Sequence, residues 1–293
     1  MERLTESNIH QLIKNLGGRY NMACEVKIIE DSINISGNRI TTYQLKYWRG
    51  IHSELMTHRV FSRNASSSRA IPIEKMISQV RTDPAGPVHW GLNQKGMQAY
   101  SELPSDKIEV AKALWKQAAN SAADQAEHMN VLGLHKQVVN RVLEPFQYIH
   151  VVLTATEFNN FFDLRDHPAA QPEIQELAIE MRKAMEVSIP KTLMSGRWHI
   201  PYIMEHERHV YPIETLLKIS TARCARVSYI THGETSVSVE NDVILHDRLV
   251  GSVPIHASPT EHQAMACSDT TWYKNFRGWK MYRYMVEESL QKR

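Results

Sequence analysis

The sequence predicts an α+β fold, with helices in the majority around a small and mostly antiparallel sheet. Three observations carry this reading. Residues 27–49, "KIIEDSINISGNRITTYQLKYWR", set β-branched and aromatic residues in short alternating runs around a Ser-Gly-Asn turn, the pattern of a hairpin. Residues 105–129 are rich in Ala, Lys, Gln and Glu, all strong helix formers. Residues 168–187 repeat apolar side chains at helical spacing after Pro172. No Gly/Ser linker, low-complexity run or repeat divides the 293 residues, so a single domain spanning 1–293 is expected.

Taken in order, the hairpin is followed by "RGIHSELMTHR", which places Arg49, His52, Met56 and Arg59 on one helical face and leads into the loop "HRVFSRNASSSRAIP", His58 to Pro72. Ser105 is the expected N-cap of the next long helix. "FQYIHVVLTATEFNNFF" reads either as a buried helix or as a strand feeding a helix, since periodicity does not separate the two. Pro172 then opens a helix with an apolar stripe of Ile174, Leu177, Ala178, Met181 and Ala184 or Met185, and Pro190 closes it. "MEHERH", with His206 and His209, reads as a surface turn. The last region, "TLLKISTARCARVSY", "HASPTEHQAMA" and "NFRGWKMYRYMVEESL", reads as helix, loop and helix. In its final helix Phe276, Trp279 and Arg283 recur at helical spacing toward the core, the alternative being an aromatic-basic surface that stacks bases.

Lys plus Arg of 34 against Asp plus Glu of 32 gives a net charge of +2, so any basic site must be local, and nucleic acid is not an expected partner. Cys24, Cys224 and Cys267 are widely spaced and odd in number, which argues against a disulfide framework or a cysteine-built metal site and fits a reducing cytoplasm. The N-terminal "MERLTESNIHQLIKNL" has no long apolar run, and no span of about 20 apolar residues suited to a bilayer occurs. A soluble cytoplasmic protein without membrane contact is expected.

The chemistry concentrates in few places. From Arg59 to Arg69 three arginines and several hydroxyls crowd one loop; they suit a phosphate, while a plain solvated loop is the competing reading. Neither a P-loop nor a Gly-x-Gly-x-x-Gly dinucleotide turn is present. Arg165 follows Phe158 and Phe162 by about a helical turn; it either pairs with Asp163 or Asp166, or points a fixed cation into a pocket. His256 and His262 bracket Ser258 and Glu261 without the spacing of a zinc motif, so no metal is expected. No cysteine context suggests a lowered pKa and no serine elbow occurs, which leaves cofactor chemistry rather than a protein nucleophile.

These clusters together resemble the flavin-dependent thymidylate synthase family (ThyX). The family pattern Gln-x-x-Arg-His-Arg-x-x-Ser-x-Asn-Glu-x-Ser-x-Arg aligns with residues 54–69, matching His58, Arg59, Ser62, Asn64, Ser67 and Arg69. Glu54 stands for Gln, Thr57 for the first Arg and Ala65 for Glu. "NRVLEP" resembles the family's Arg-x-x-x-Pro segment, and "FNNFFDLRDHPAAQPEI" its Asn-Phe-x-x-x-Arg and Ala-Gln-x-Glu-Ile segments. "TARCARVSY" and "HASPTEHQAM" resemble segments that in the family precede the Arg-His-Arg motif. Here they follow it, which implies a permuted relative in which residues 215–285 correspond to the family's N-terminal part and 81–135 form a helical insert.

The resemblance implies a ThyX-like fold and a homotetramer with shared sites. It implies an FAD-dependent transferase that takes a methylene from 5,10-methylenetetrahydrofolate to C5 of dUMP and reduces it to methyl with NADPH. Hydroxymethylation of dUMP or dCMP is the alternative reaction, and a non-catalytic nucleotide-binding protein the alternative of another class. By the resemblance, Glu54, Ser67, Ser68, Arg69, Arg141 and Arg165 hold dUMP, with Arg165 the catalytic group. His58, Arg59, Thr154, Thr156, Asn160, His256 and Ser258 line FAD.

Overall fold

The computed structural model describes residues 24–229 and 238–291; the N-terminal segment expected to carry no leader lies outside them. The expected hairpin forms from β1 (Cys24–Asn34) and β2 (Arg39–Trp48), antiparallel, with a register shift between Ile28 and Glu30. Gly37 takes the φ of +80° that the tight connection requires, a conformation in which a Cβ would be strained. The chain then makes a 3-10 turn (Arg49–Ile51) and a single helical turn, α1 (His52–Leu55). The helix expected to run to Arg59 therefore ends four residues early, and Arg59 lies beyond it. Within the expected loop one short stretch is ordered as an edge strand, β3 (Ser62–Ala65).

α2 (Ile73–Thr82) and α3 (Ser105–Val131) follow, packing Met76, Ile77 and Val80 against Ala119, Ala123 and Ala126. Small alanines at that seam let the two helix backbones approach closely. Ser105 is the first helical residue rather than the cap; Pro104 occupies the N-cap without a side-chain bond. A short α4 (Lys136–Val139) and a 3-10 segment (Asn140–Phe146) lead into β4 (Tyr148–Ala155). α5 (Asn159–Arg165) follows, so the strand-then-helix reading of this segment is the one realised. α6 (Pro172–Val187) buries the expected stripe of Ile174, Leu177, Ala178 and Met181.

β5 (Lys191–Leu193) pairs parallel to β1 and completes a five-stranded sheet in the order β3-β4-β2-β1-β5. Beyond it lie β6 (Trp198–His199), α7 (Glu205–Val210), α8 (Ile213–Ala225) and α9 (Val239–Val250). The His206/His209 segment is thus a short helix, anchored through Arg208 to Glu30 at 2.8 Å and through buried Glu207 to Arg223 at 2.6 Å. After a 3-10 turn (Ser258–Glu261), β7 (Ala264–Ala266) pairs with β6 and β10 (Trp279–Met281), while β8 (Trp272–Tyr273) and β9 (Phe276–Arg277) form a small hairpin. Only α10 (Tyr282–Gln291) remains of the expected final helix. Gly278 explains the difference: its φ is +73°, and a Cβ there would lie 2.7 Å from the Asn38 amide nitrogen and 2.9 Å from the Asp269 carbonyl oxygen. The chain turns at that glycine. Phe276 and Trp279 are fully buried from two strands rather than from one helix face. No described helix is long and apolar enough to cross a membrane.

Candidate functional site

The turn after β3 is fixed from all sides. Ser66 extends the ladder to His150 through its N–H at 2.8 Å, the Ser67 N–H donates to the Ser228 carbonyl at 3.1 Å, and the Asn140 amide donates to the carbonyls of Ser68 and Ile71. With the backbone held, the side chains separate into two groups. Ser68 donates to Glu144 Oε1 at 2.7 Å, and Arg141 meets the same oxygen at 2.8 Å, with Arg49 at 3.1 Å. Ser67 and Arg69 instead line a cavity of 520 Å³ together with Lys136, Arg248, His256 and Ser258. Among the described residues no Asp or Glu lines it. The nucleotide set is thus divided, and two cations that no local pattern marks, Lys136 in "LHKQ" and Arg248 in "HDRL", join one half.

Arg165 sits elsewhere. At the C-terminal end of α5 its Nη1 pairs with Glu54 Oε2 at 2.7 Å, its Nε donates to His58 Nε2 at 3.1 Å, and Nη2 reaches Thr57 Oγ1 at 3.4 Å. Neither Asp163 nor Asp166 is its partner; Asp166 pairs with Arg182. The His58 ring stacks on Phe61 and meets the edge of Phe161 at 4.9 Å. Burial pushes its pKa down to about 4, helped by the charges of Arg165 and Arg63, so a neutral ring presents Nε2 as an acceptor. Arg165 and Glu54 line a second cavity of 940 Å³, walled also by Trp48, Tyr100 and Glu173. Within one chain, therefore, Arg165 does not meet the Ser67–Arg69 turn.

The residues expected along a flavin are likewise distributed. His256 and Ser258 share the first cavity with Ser67 and Arg69, although almost 190 residues separate the two segments in sequence. Arg59 and Ser258 line a smaller third cavity of 290 Å³ beside Glu261. Asn160 is exposed on α5. Thr156 accepts the Arg277 N–H at 3.0 Å. Thr154 is fully buried, with its hydroxyl 2.7 Å from Thr42 Oγ1 and 2.9 Å from His262 Nδ1, so it supports the sheet rather than facing a ligand.

Beneath the first cavity lies a chain of buried polar contacts that the sequence did not announce. Ser32, His199, Thr42, Thr154 and His262 are linked in that order by contacts of 3.0, 2.8, 2.7 and 2.9 Å, ending 3.4 Å from Asn64 on the cavity wall. Burial drives both imidazoles down to about 3, so each is neutral and carries one proton. Burial also raises the thiols of Cys24, to about 12, and of Cys224, and Cys267 is raised as well. None is disposed to be a thiolate. Among the described residues no group of three or more His, Cys, Asp or Glu side chains could hold a metal ion.

Residues 40–191 match the family model described as thymidylate synthase complementing protein. That match runs from β2 to the start of β5 and stops short of the segment containing His256 and Ser258. No curated protein matches significantly. Among solved structures, the chain is similar to a UMP/dUMP methylase, PolB from Streptomyces cacaoi, bound with 5-Br UMP, at 17% identity over 57% of this chain and 89% of that one, with a TM-score of 0.46. The same protein bound with 5-Br dUMP aligns at 14% identity over 57% and 90%, with a TM-score of 0.45.

Proposed function

The chain belongs to the thymidylate synthase complementing protein family, and on that premise we propose that it is an FAD-dependent enzyme that methylates dUMP at C5. The one-carbon unit would come from 5,10-methylenetetrahydrofolate and the reducing equivalents from NADPH. One observation carries the reading: the two motif segments that resemble the family, one holding Ser67 and Arg69 and the other His256 and Ser258, line the same cavity despite their displaced order. The donor set there, cations and hydroxyls with no carboxylate among the described residues, fits the phosphates of a nucleotide and of a flavin adenine dinucleotide. Bound flavin would supply the hydride that turns the transferred methylene into methyl.

The chain's own residues have definable tasks. Ser67 and Arg69 would hold the nucleotide phosphate, with Arg59, His256 and Ser258 toward the flavin. C5 of uracil becomes nucleophilic when negative charge is stabilised at N3 and O4, and the raised thiols of the three cysteines disfavour a thiolate that would activate the ring by addition at C6. Arg165 is suited to that stabilisation. Glu54 and His58 fix two edges of its guanidinium, while Nη2, with only a 3.4 Å contact, remains open to a ligand in the second cavity. Because Arg165 and Arg69 line different cavities, the reading needs a homo-oligomer in which one protomer's Arg165 reaches a nucleotide held by another.

The test is the absorbance spectrum of the purified protein with added FAD, followed by anaerobic turnover with dUMP, methylenetetrahydrofolate and NADPH. Reduced flavin should be reoxidised in a dUMP-dependent way, and product mass separates methyl from hydroxymethyl. Absence of dUMP-dependent reoxidation would sink the reading. Arg165→Lys, which removes the planar fork but keeps the charge, should lower kcat by about 100-fold, the scale of one lost preorganised donor.

A further inference from the structure

Arg69, Lys136 and Arg248 converge on the 520 Å³ cavity from three unconnected places: the turn after β3, the first residue of α4 and the last turn of α9. Arg69 and Arg248 are exposed and Lys136 is half-buried, and their surroundings differ from those of several half-buried arginines. Arg39 has Asp31, Arg165 has Glu54, Arg208 has Glu30, and Arg223 has both Glu207 and Asp242. Neither Arg69 nor Arg248 makes an ion pair among the described residues, and Lys136 Nζ donates only to a neutral carbonyl, that of Ala70, at 2.9 Å. In a chain with nearly equal numbers of acidic and basic side chains, three cations around one concavity, with no carboxylate among the described residues, are a local excess of positive charge. An anion seated among them would relieve their mutual repulsion, which solvent screens in part at the two exposed arginines.

We propose that Lys136 and Arg248 complete, with Ser67 and Arg69, a binding site for a phosphoryl dianion. A phosphoryl group has three oxygens able to accept from guanidinium, ammonium and hydroxyl donors together, more than a carboxylate can use. Ser68 and Arg141 do not contribute, because Glu144 already draws both away to the neighbouring cluster with Arg49. The proposal rests on the functional reading above only for the carrier of the phosphoryl group, which is either the substrate nucleotide or the flavin adenine dinucleotide.

The full-length protein is titrated calorimetrically with dUMP, deoxyuridine, FAD and inorganic phosphate, as wild type and as Lys136→Gln, Arg248→Gln, Arg69→Gln and Lys107→Gln. Lys107 is an exposed lysine outside the cavity that controls for net charge. Lys136→Gln and Arg248→Gln should each weaken dUMP about tenfold or more, leave deoxyuridine unchanged and retain the wild-type thermal midpoint, while Lys107→Gln changes nothing. Weakened FAD with unchanged dUMP would assign the same site to the cofactor's phosphates. If wild type binds neither dUMP nor FAD but its phosphate affinity still falls in both variants, the site stands and the functional reading fails. If both variants bind dUMP, FAD and phosphate like wild type, the proposal is overturned, and a loss confined to Arg69→Gln would leave the functional reading standing without it.

Discussion

The two faces of the central sheet are built from the same strands and packed with opposite chemistry. On one, Tyr43 and Leu45 of β2 stand opposite Leu153 and Val151 of β4 and meet Phe158, Phe161, Ile174, Leu177 and Met181 in a dry cluster. One residue along, where the pleat turns the side chain over, Thr42 stands opposite Thr154 and the neighbours are His199 and His262. Tyr43 and Leu45 on the one side and Thr42, Thr154, His199 and His262 on the other are fully buried. The apolar face supplies area removed from water, and the polar face ties β6 and the segment after Ser258–Glu261 to the sheet by directional bonds. The second arrangement fixes position, and it lies under the cavity holding Ser67, Arg69 and His256.

Acid should separate the two faces most strongly. His199 and His262 fall from the ordinary 6.5 to about 3 in the folded chain, so between those values the unfolded state binds more protons. Stability is complete above pH 6.5 and is lost as pH falls toward 3. Between pH 7 and pH 4 each imidazole contributes a loss on the order of 3 kcal/mol. Denaturant titrations at stepped pH check this, and replacing both histidines by Gln should reduce that limb to the smaller contribution of His52 and His58, which burial holds down to about 4, if the variant folds. On the apolar side His58, held down to about 4 against Phe61 and Phe161, adds to the acid loss, whereas Leu45→Ala should destabilise by about 3 kcal/mol at any pH, through lost burial and the cavity left behind.

That contrast also explains what could be read from the sequence. The apolar face was legible because its signal is local: alternation in β2, the 3.6-residue stripe in α6, a Gly in the hairpin turn. The polar face was not, since Ser32, Thr42, Thr154, His199 and His262 come from five segments and no spacing links them. The site divides in the same way. Ser67, Arg69, His256 and Ser258 lie in recognisable motifs, whereas Lys136 and Arg248 are single residues that only the fold brings to the cavity. The misread final helix has the same cause in reverse: Phe276 and Trp279 are three apart, as on a helix, but Gly278 turns the chain between them.

A smaller effect isolates the hydroxyls. Thr154→Val preserves shape but leaves Thr42 Oγ1 and His262 Nδ1 each short of a partner, and should destabilise by about 2 kcal/mol, while Thr154→Ser should be milder at about 1 kcal/mol. Equal losses for Val and Ser would mean that the methyl, not the hydrogen bonds, does the holding, and the contrast between the faces would shrink to packing alone.

The finest test is the coupling across the threonine pair. Thr42→Val alone strands the Thr154 hydroxyl on one side and His199 Nε2 on the other. Thr154→Val alone strands Thr42 and His262. In the double variant the two threonine hydroxyls that would have lacked each other are both gone, so the mutual part of the penalty disappears while the penalties at the two histidines remain. The double loss should therefore fall short of the sum of the single losses by about 1 kcal/mol. The equivalent cycle on the apolar face, Leu45→Ala with Val151→Ala, removes facing methyl groups without stranding any donor, and its coupling is expected from a shared cavity alone, with no dependence on pH. Measured at pH 7 and again at pH 5, the threonine coupling should weaken as protonation of the histidines becomes competitive in the weakened variants. A coupling that is the same on both faces and at both pH values would mean that the polar chain acts as ordinary packing and does not fix the direction of its own protons.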